Sequence, residues 1–119
     1  MSPWPAPERR TWHPSGGVLR PIEVERLLAE HPQWQRRGGG LLRELHFRDF
    51  RSALDFVNRL ADEAVDFGRH PDVSIVDDGT VRLRVANPHH VGITVAEMRL
   101  VEDVDDAITR TEDRALAAA

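Results

Sequence analysis

The sequence predicts an α+β domain in two layers, a small antiparallel β-sheet with helices packed on one face. Three observations lead to this class. A helix-period stretch runs from Asp49 to Phe67, two short alternating runs are joined by Asp77–Thr80, and a second helix-period stretch opens at Thr94. A strand with one apolar face and a helix with one apolar stripe bury those surfaces against each other, which gives a two-layer domain.

The first part of the chain predicts an arm, a short helix and a strand. Residues 1–20 hold four of the eight prolines and show no periodicity, so a flexible N-terminal arm is expected. Pro21–Pro32 predicts a helix, because proline suits the first helical position and a second proline ends it. Gln35–Gly40 indicates a break, and Leu41–Phe47 alternates at its end as a strand does.

The long helix is the strongest signal in the sequence. Asp49 is placed to cap its start, and Gly68 is placed to follow its end with a positive φ. Apolar residues recur at helical spacing for more than four turns, at Phe50, Ala53, Leu54, Val57, Leu60, Ala61, Ala64 and Val65.

A β-hairpin and a final helix complete the predicted domain. Val73–Val76 and Val81–Val85 alternate apolar and polar residues, and Gly79 between them is expected to take the left-handed conformation. Thr94–Glu97 has the pattern of a capping box at a helix start. The predicted domain spans residues 21–112, and residues 113–119 are expected to be a C-terminal tail. A sheet of three strands leaves exposed edges, which favours pairing between subunits.

Composition excludes several classes of function. The chain has 119 residues, a formal net charge of −4 and no cysteine. Disulfides, thiolate catalysis and cysteine-based metal sites are therefore excluded, and binding of nucleic acid through bulk positive charge is not expected. No apolar run is long enough for a membrane span, and the first residues lack the apolar core of a signal peptide. A cytoplasmic protein is the expectation.

Three of the six histidines lie at the ends of the predicted hairpin. His70 precedes its first strand, and His89 and His90 follow its second strand. Antiparallel pairing brings these two ends together. Neighbouring residues point in different directions, so at most one of the pair is expected to face His70, and the register favours His89. Imidazoles titrate near neutral pH, which suits proton transfer. The three histidines could also hold a zinc ion, but their spacing matches no metal-binding motif and no metal is expected.

The segment LHFRDFRSALDFVNRLADEAVDFGRHPDV, followed by a V-x-L-x-V strand and GITVAEM, resembles the pterin-4a-carbinolamine dehydratases across residues 34–108. The resemblance implies an antiparallel sheet with helices on one side and a homodimer or homotetramer. It implies acid/base dehydration of 4a-hydroxytetrahydrobiopterin to the quinonoid dihydropterin during regeneration of tetrahydropterin, with a pterin substrate and without cofactor or metal.

The functional positions of that family are matched unevenly. His70 and Pro71 match the second histidine and the proline of its His-His-Pro turn, and Arg69 occupies the first histidine position. Pro88 stands at a third histidine position, with His89 next to it. The resemblance implies two sets of site residues, catalytic His70 and His89, and substrate-binding Arg69, Pro71, His90 and Glu97.

Arginine at position 69 leaves several roles open. Arginine stays protonated, so Arg69 cannot serve as a general acid or base. It could hold an anion, orient Glu97 or Asp66, anchor a different ligand, or indicate lost dehydratase activity. The alternative is that the chain is a non-catalytic or repurposed member of the family. It would then be a protein-binding or assembly module, or an enzyme that acts on another heterocyclic substrate.

Arg82 and Arg84, with Arg43, could also form a basic strip on the outer sheet face that meets an acidic partner.

Overall fold

The computed structural model describes residues 17–65, 68–87 and 92–118, with side chains as far as residue 111. Within these ranges the chain forms three helices and four strands. The helices are α1 (Pro21–Glu30), α2 (Phe50–Ala64) and α3 (Val95–Ala118), and the strands are β1 (Trp34–Arg37), β2 (Gly40–His46), β3 (Asp72–Val76) and β4 (Thr80–Val85).

The four strands form one antiparallel sheet in the order β1-β2-β4-β3. Side chains alternate across a strand, and the buried ones share one face, where Leu41 of β2 and Val81, Leu83 and Val85 of β4 are almost fully buried. Residues of all three helices belong to the same hydrophobic core. The predicted α+β fold with helices packed on one face of an antiparallel sheet is confirmed.

Strand β1 replaces the break that the sequence predicts at Gln35–Gly40. Trp34 of β1 is buried in the core, and its partner across the β1–β2 ladder is Arg43. Gly38 and Gly39 turn the chain with φ of 53° and 80°, values that glycine adopts without steric cost. Because three glycines follow three polar residues, this hairpin has the composition of a loop.

The turn between β3 and β4 differs from the predicted one. Asp77 and Asp78 take positive φ, 51° and 66°, and the Gly79 N–H donates to the Val76 carbonyl at 3.2 Å. Positive φ at both central residues is typical of a type I′ turn, and aspartate tolerates it better than most residues. Gly79 is needed for space instead, because a Cβ there would lie 2.5 Å from the Phe47 carbonyl oxygen.

Helix α2 begins where the sequence predicts. The Asp49 carboxylate accepts a hydrogen bond from the Ser52 backbone N–H at 2.8 Å, so Asp49 is the N-cap. This bond is the main reason that the pKa of Asp49 lies below its ordinary value. The helix ends at Ala64, earlier than the predicted Phe67. Gly68 has the predicted positive φ, 74°, but it lies in the loop beyond the helix end.

At both predicted ends of the domain, after residue 20 and after residue 112, the structure describes residues beyond the predicted boundary. Leu19, which the sequence places in the arm, is buried in the core, and its N–H donates to the Ile93 carbonyl at 2.7 Å. Residues 1–16, the rest of that arm, lie outside the described residues. Helix α3 continues to Ala118, through the segment predicted to be a tail.

None of the helices in the described part of the chain has the length and apolar character needed to cross a membrane.

Candidate functional site

Two segments meet at the end of the sheet where β3 begins and β4 ends. One is the loop Gly68–Pro71, which leads into β3, and the other is Gly92–Glu97, which leads into the first turn of α3. The guanidinium of Arg69 donates to the Glu97 carboxylate with Nη2 to Oε2 at 3.3 Å. This contact joins residues 28 positions apart and is the centre of the candidate site.

Glu97 is held in one orientation by the start of its own helix. Its Oε1 accepts a hydrogen bond from the Thr94 backbone N–H at 2.8 Å and another from the Thr94 hydroxyl. The first of these bonds is the carboxylate half of the predicted capping box. The side chain is completely buried, with 0% exposure. A buried carboxylate needs partners to compensate for lost hydration, and Thr94 and Arg69 supply them.

Arg69 is the partner of Glu97 that reaches solvent. Its side chain is 40% exposed, and its contact with Oε2 is longer than an ideal charge-assisted hydrogen bond. Among the roles left open for Arg69, the geometry favours orientation of a carboxylate, that of Glu97. The guanidinium compensates the charge of Glu97 at the inner end and presents the rest of its donor edge to the outside.

His70 follows Arg69 in the same loop and is exposed. Its Nδ1 lies 2.9 Å from the Pro71 carbonyl oxygen. A carbonyl oxygen only accepts, so Nδ1 carries the proton in this arrangement and Nε2 has the lone pair when the ring is neutral. Pro71 itself is fully buried and fixes the backbone that holds the ring. The loop therefore presents an oriented imidazole with an available basic nitrogen.

The Gly92–Thr94 segment is supported from behind by residues 17–19. Val18 forms a β-bridge with Thr94, and the Val95 N–H donates to the Gly17 carbonyl at 3.2 Å. Gly92 has a φ of 119°, and a Cβ there would lie 3.2 Å from Val18 Cγ1. Glycine is therefore required where the chain turns into the site.

The structure brings together part of the predicted site. Arg69, His70 and Pro71 lie on one loop, and Glu97 contacts that loop through Arg69. His89 and His90, with Pro88 before them, lie outside the described residues, as does Asp66. Their predicted proximity to His70 stays a prediction. In the described ranges, no three histidine or acidic side chains are grouped so as to hold a metal ion.

A second polar cluster, which we call the Asp105 cluster, was not predicted from the sequence. Asp105 of α3 accepts from His31 Nδ1 at 2.6 Å, from Trp34 Nε1 at 2.8 Å and from Arg43 Nη1 at 2.6 Å. The side chains of His31, Arg43 and Asp105 are each less than one fifth exposed. Asp105 occupies a helix position beside the buried Val104, which gives no local indication of such a role.

The Asp105 cluster also corrects the predicted basic strip. Alternation along β2 places Arg43 on the same face as Leu41 and Leu45, toward the helices, and Asp105 provides its counter-charge there. Arg82 and Arg84 lie on the opposite, open face of the sheet, as predicted. Arg43 therefore belongs to the helix-facing layer and not to the outer strip.

Comparison with known proteins gives a consistent result. The family model described as pterin 4 alpha carbinolamine dehydratase matches residues 18–107. Two relatives, from Thermosynechococcus vestitus and Thermomicrobium roseum, are each 44% identical to this chain, over 57 and 52 residues respectively. Each is named "Putative pterin-4-alpha-carbinolamine dehydratase". These alignments cover 48% and 44% of this chain, and the chain spans only 60% and 56% of the two relatives.

A longer alignment and a solved structure extend the comparison. A relative of the same name from Mycobacterium bovis is 33% identical over 88 residues, which covers 74% of this chain and 93% of that protein. A crystal structure of a transcriptional coactivator/pterin dehydratase from Brucella melitensis superposes with a TM-score of 0.63 at 20% identity. It covers 76% of this chain and 98% of that one, and at this identity it supports the fold. The chain belongs to the pterin-4-alpha-carbinolamine dehydratase family.

Proposed function

We propose that this protein is a hydro-lyase that dehydrates 4a-hydroxytetrahydropterin, and 4a-hydroxytetrahydrobiopterin in particular, during regeneration of the tetrahydropterin. Family membership supports the reaction class. The observation that carries the proposal is the His70 ring, which is oriented by the Pro71 carbonyl and leaves Nε2 available.

The reaction requires two proton transfers. The C4a–O bond of the carbinolamine breaks, and the departing hydroxide takes up a proton to leave as water. N5 loses a proton, and its lone pair forms the C4a=N5 double bond of the quinonoid dihydropterin. No electron is gained or lost overall, so the chemistry calls for a base and an acid that work near neutral pH.

His70 is suited to one of these transfers. In the neutral ring Nε2 accepts the N5 proton, and the Nδ1–H···O=C bond to Pro71 stabilises the imidazolium that forms. A protonated ring can then deliver a proton to the departing hydroxyl. His89 is proposed as the second proton-transfer group and His90 as a substrate contact, on the strength of the hairpin register.

Arg69 and Glu97 are proposed as positioning groups. Glu97 is buried and tied to Thr94, and Arg69 neutralises its charge. A permanently charged guanidinium does not exchange protons in this reaction. Its role is to hold the loop that carries His70 at a fixed distance from the start of α3, while Pro71 fixes the backbone at the other side of the ring.

The test is a stopped-flow dehydration assay with 4a-hydroxytetrahydropterin. His70→Ala is expected to lose about 10²- to 10⁴-fold of the enzymatic acceleration, the usual contribution of a positioned acid or base. His46→Ala is the matched control, because His46 is an exposed histidine bonded to Thr80 on the outer sheet face. A rate unchanged by His70→Ala would reject the proposed role.

A second candidate function is a protein-binding module without catalysis. The Arg69–Glu97 ion pair favours it, because an arginine stands where the family has a titrating histidine. Arg69→His separates the two candidates. If the native chain has little activity and Arg69→His raises it at least about tenfold, the catalytic set has been lost in this protein; if the native chain is already active, the module is rejected.

We also propose a homodimer or homotetramer, and two surfaces of the chain support this. Strands β1 and β3 form the outer edges of the sheet, where unpaired backbone groups favour pairing with another strand. Phe50 and Leu54 lie one turn apart on α2, with 54% and 40% exposure. Light scattering tests this, and the native chain should have the mass of an oligomer. The double variant Phe50→Ser/Leu54→Ser is expected to have a lower mass, whereas Ile22→Ser, a control at an exposed apolar residue of α1, should keep the native mass. An unchanged mass of the double variant would exclude this face of α2.

A further inference from the structure

The open face of the sheet carries a hollow that the proposed function does not use. Its volume is about 500 Å³, within the range of small-molecule sites. It is lined by residues of all four strands, namely Arg37, Leu42, Glu44, Asp72, Val73, Ser74, Arg82 and Arg84. The Arg69–Glu97 contact is not part of this lining, so this is a separate surface.

The three glycines of the β1–β2 hairpin shape one end of the hollow. The Arg84 side chain crosses from β4 over Gly40 and donates from Nη2 to the Gly38 carbonyl at 3.1 Å. A Cβ at Gly40 would lie 3.3 Å from that Nη2 and 2.8 Å from the Val85 carbonyl oxygen. Glycine is required at this position mainly because a Cβ would overlap the Val85 carbonyl oxygen, and its absence also leaves room for the guanidinium along the hairpin.

The charges of the hollow divide into a paired and an unpaired group. Arg82 donates from Nε to the Glu44 carboxylate at 2.5 Å, so the charges of these two residues compensate each other. Arg37 and Arg84 take part in no salt bridge within the described ranges, although Asp72 faces Arg84 across the β3–β4 ladder. Arg37 donates at 3.4 Å to Gln35, a neutral amide. Two guanidinium groups thus line the hairpin end of the hollow on a chain whose net charge is −4.

We propose that Arg37 and Arg84 form a binding site for a small oxyanion, the phosphate or carboxylate group of a metabolite-sized ligand. A guanidinium has five N–H donors in a fixed fork, and Arg84 uses one of them for Gly38. The forks of two arginines match the oxygens of a phosphate or carboxylate. Leu42 offers apolar contact for the remainder of the ligand, and the carboxylate of Asp72, which faces Arg84 across the β3–β4 ladder, disfavours long polyanions.

The test is a titration of the full chain, labelled with ¹⁵N, with inorganic pyrophosphate in one arm and citrate in the other. Saturable shifts are expected for the amide signals of Gly38, Gly39 and Gly40 in the β1–β2 hairpin. The probe that binds more tightly assigns the anion as phosphate or carboxylate. Shifts confined to Gly92 and Thr94, or no saturable shifts with either probe, would overturn the proposal.

Single variants make the test specific. Arg37→Gln and Arg84→Gln should each weaken binding by at least about tenfold, since a hydrogen bond to a charged group contributes that much or more. Arg36→Gln is the matched control, because Arg36 is an exposed neighbour whose side chain alternates to the other face of β1. An equal loss in this control would indicate unspecific charge attraction and reject the site. Arg84→Lys keeps the charge without the fork, and it should also bind less tightly while it folds normally.

Discussion

Replacement of Asp105 by Asn should lower the free energy of unfolding more than removal of any other single charge that is partly exposed. Asp105 accepts hydrogen bonds from His31, Trp34 and Arg43, which belong to or follow three different elements. Asparagine has nearly the same shape and keeps one acceptor oxygen. The substitution therefore isolates the loss of the negative charge from the loss of packing.

The size of the effect follows from the surroundings of Arg43. Its side chain is 13% exposed, and its Nε is buried without a hydrogen-bond partner in the described structure. Breaking a buried ion pair costs about 3–5 kcal/mol, because the remaining charge is left uncompensated. Since Arg43 and Asp105 both retain some exposure, we expect a loss of about 2–4 kcal/mol. For a domain of this size that lowers the Tm by roughly 8–16 °C.

Urea unfolding, followed by circular dichroism, measures this loss directly. The midpoint should fall while the slope m stays constant, because the surface exposed on unfolding does not change. Asp106→Asn is the matched control, as Asp106 is the exposed neighbour on the same helix, and it should lie within about 0.5 kcal/mol of the native chain. If Asp105→Asn lies equally close to the native value, the cluster contributes nothing and the reasoning is refuted.

Three further changes test local features of the fold. Asp49→Ala should lower the urea midpoint at pH 7. Because the pKa of Asp49 is lowered in the folded state, its stabilisation is present above the ordinary value of 3.8 and disappears as the pH falls below it, so the difference in midpoint between the native chain and Asp49→Ala should vanish at low pH. Gly79→Ala should cost about 1–3 kcal/mol, from the contact with the Phe47 carbonyl, and a thermal melt that matches the native chain would contradict this. Glu97→Gln keeps the acceptor for Thr94 but sets an amide against Arg69, so a loss of about 1–2 kcal/mol is expected in urea, and a gain would show that burial of the charge is itself unfavourable.

Those parts of the fold that depend on local pattern could be predicted from the sequence. The spacing of apolar residues located α2, and the Asp49 cap and the Thr94–Glu97 pattern located helix starts, because each signal acts over three or four residues. Strand β1 could not be predicted, because Trp34 is its only apolar residue and four residues are too few to show alternation.

The candidate site could be predicted only in part, for the same reason. Arg69, His70 and Glu97 were identified through a resemblance together with the expected meeting of the hairpin ends. The Asp105 cluster has no such guide, since its partners lie 74, 71 and 62 residues away along the chain. A single aspartate on a helix carries no sign of the tertiary contacts that surround it, and those contacts exist only once β1, β2 and α3 are assembled.

Because residues 17–19 pair with the segment before α3, hydrogen exchange can detect the separation of these two segments. The Leu19 amide is bonded to the Ile93 carbonyl, and the Val95 amide to the Gly17 carbonyl. Solvent cannot exchange either hydrogen until the two segments separate, so both amides should exchange together as one cooperative unit. Hydrogen exchange at Leu19 thus reports on opening of the Thr94 segment from a position about seventy residues earlier in the chain. A ligand that binds against Arg69 and so stabilises its contact with Glu97 should slow that exchange without touching the residue being observed.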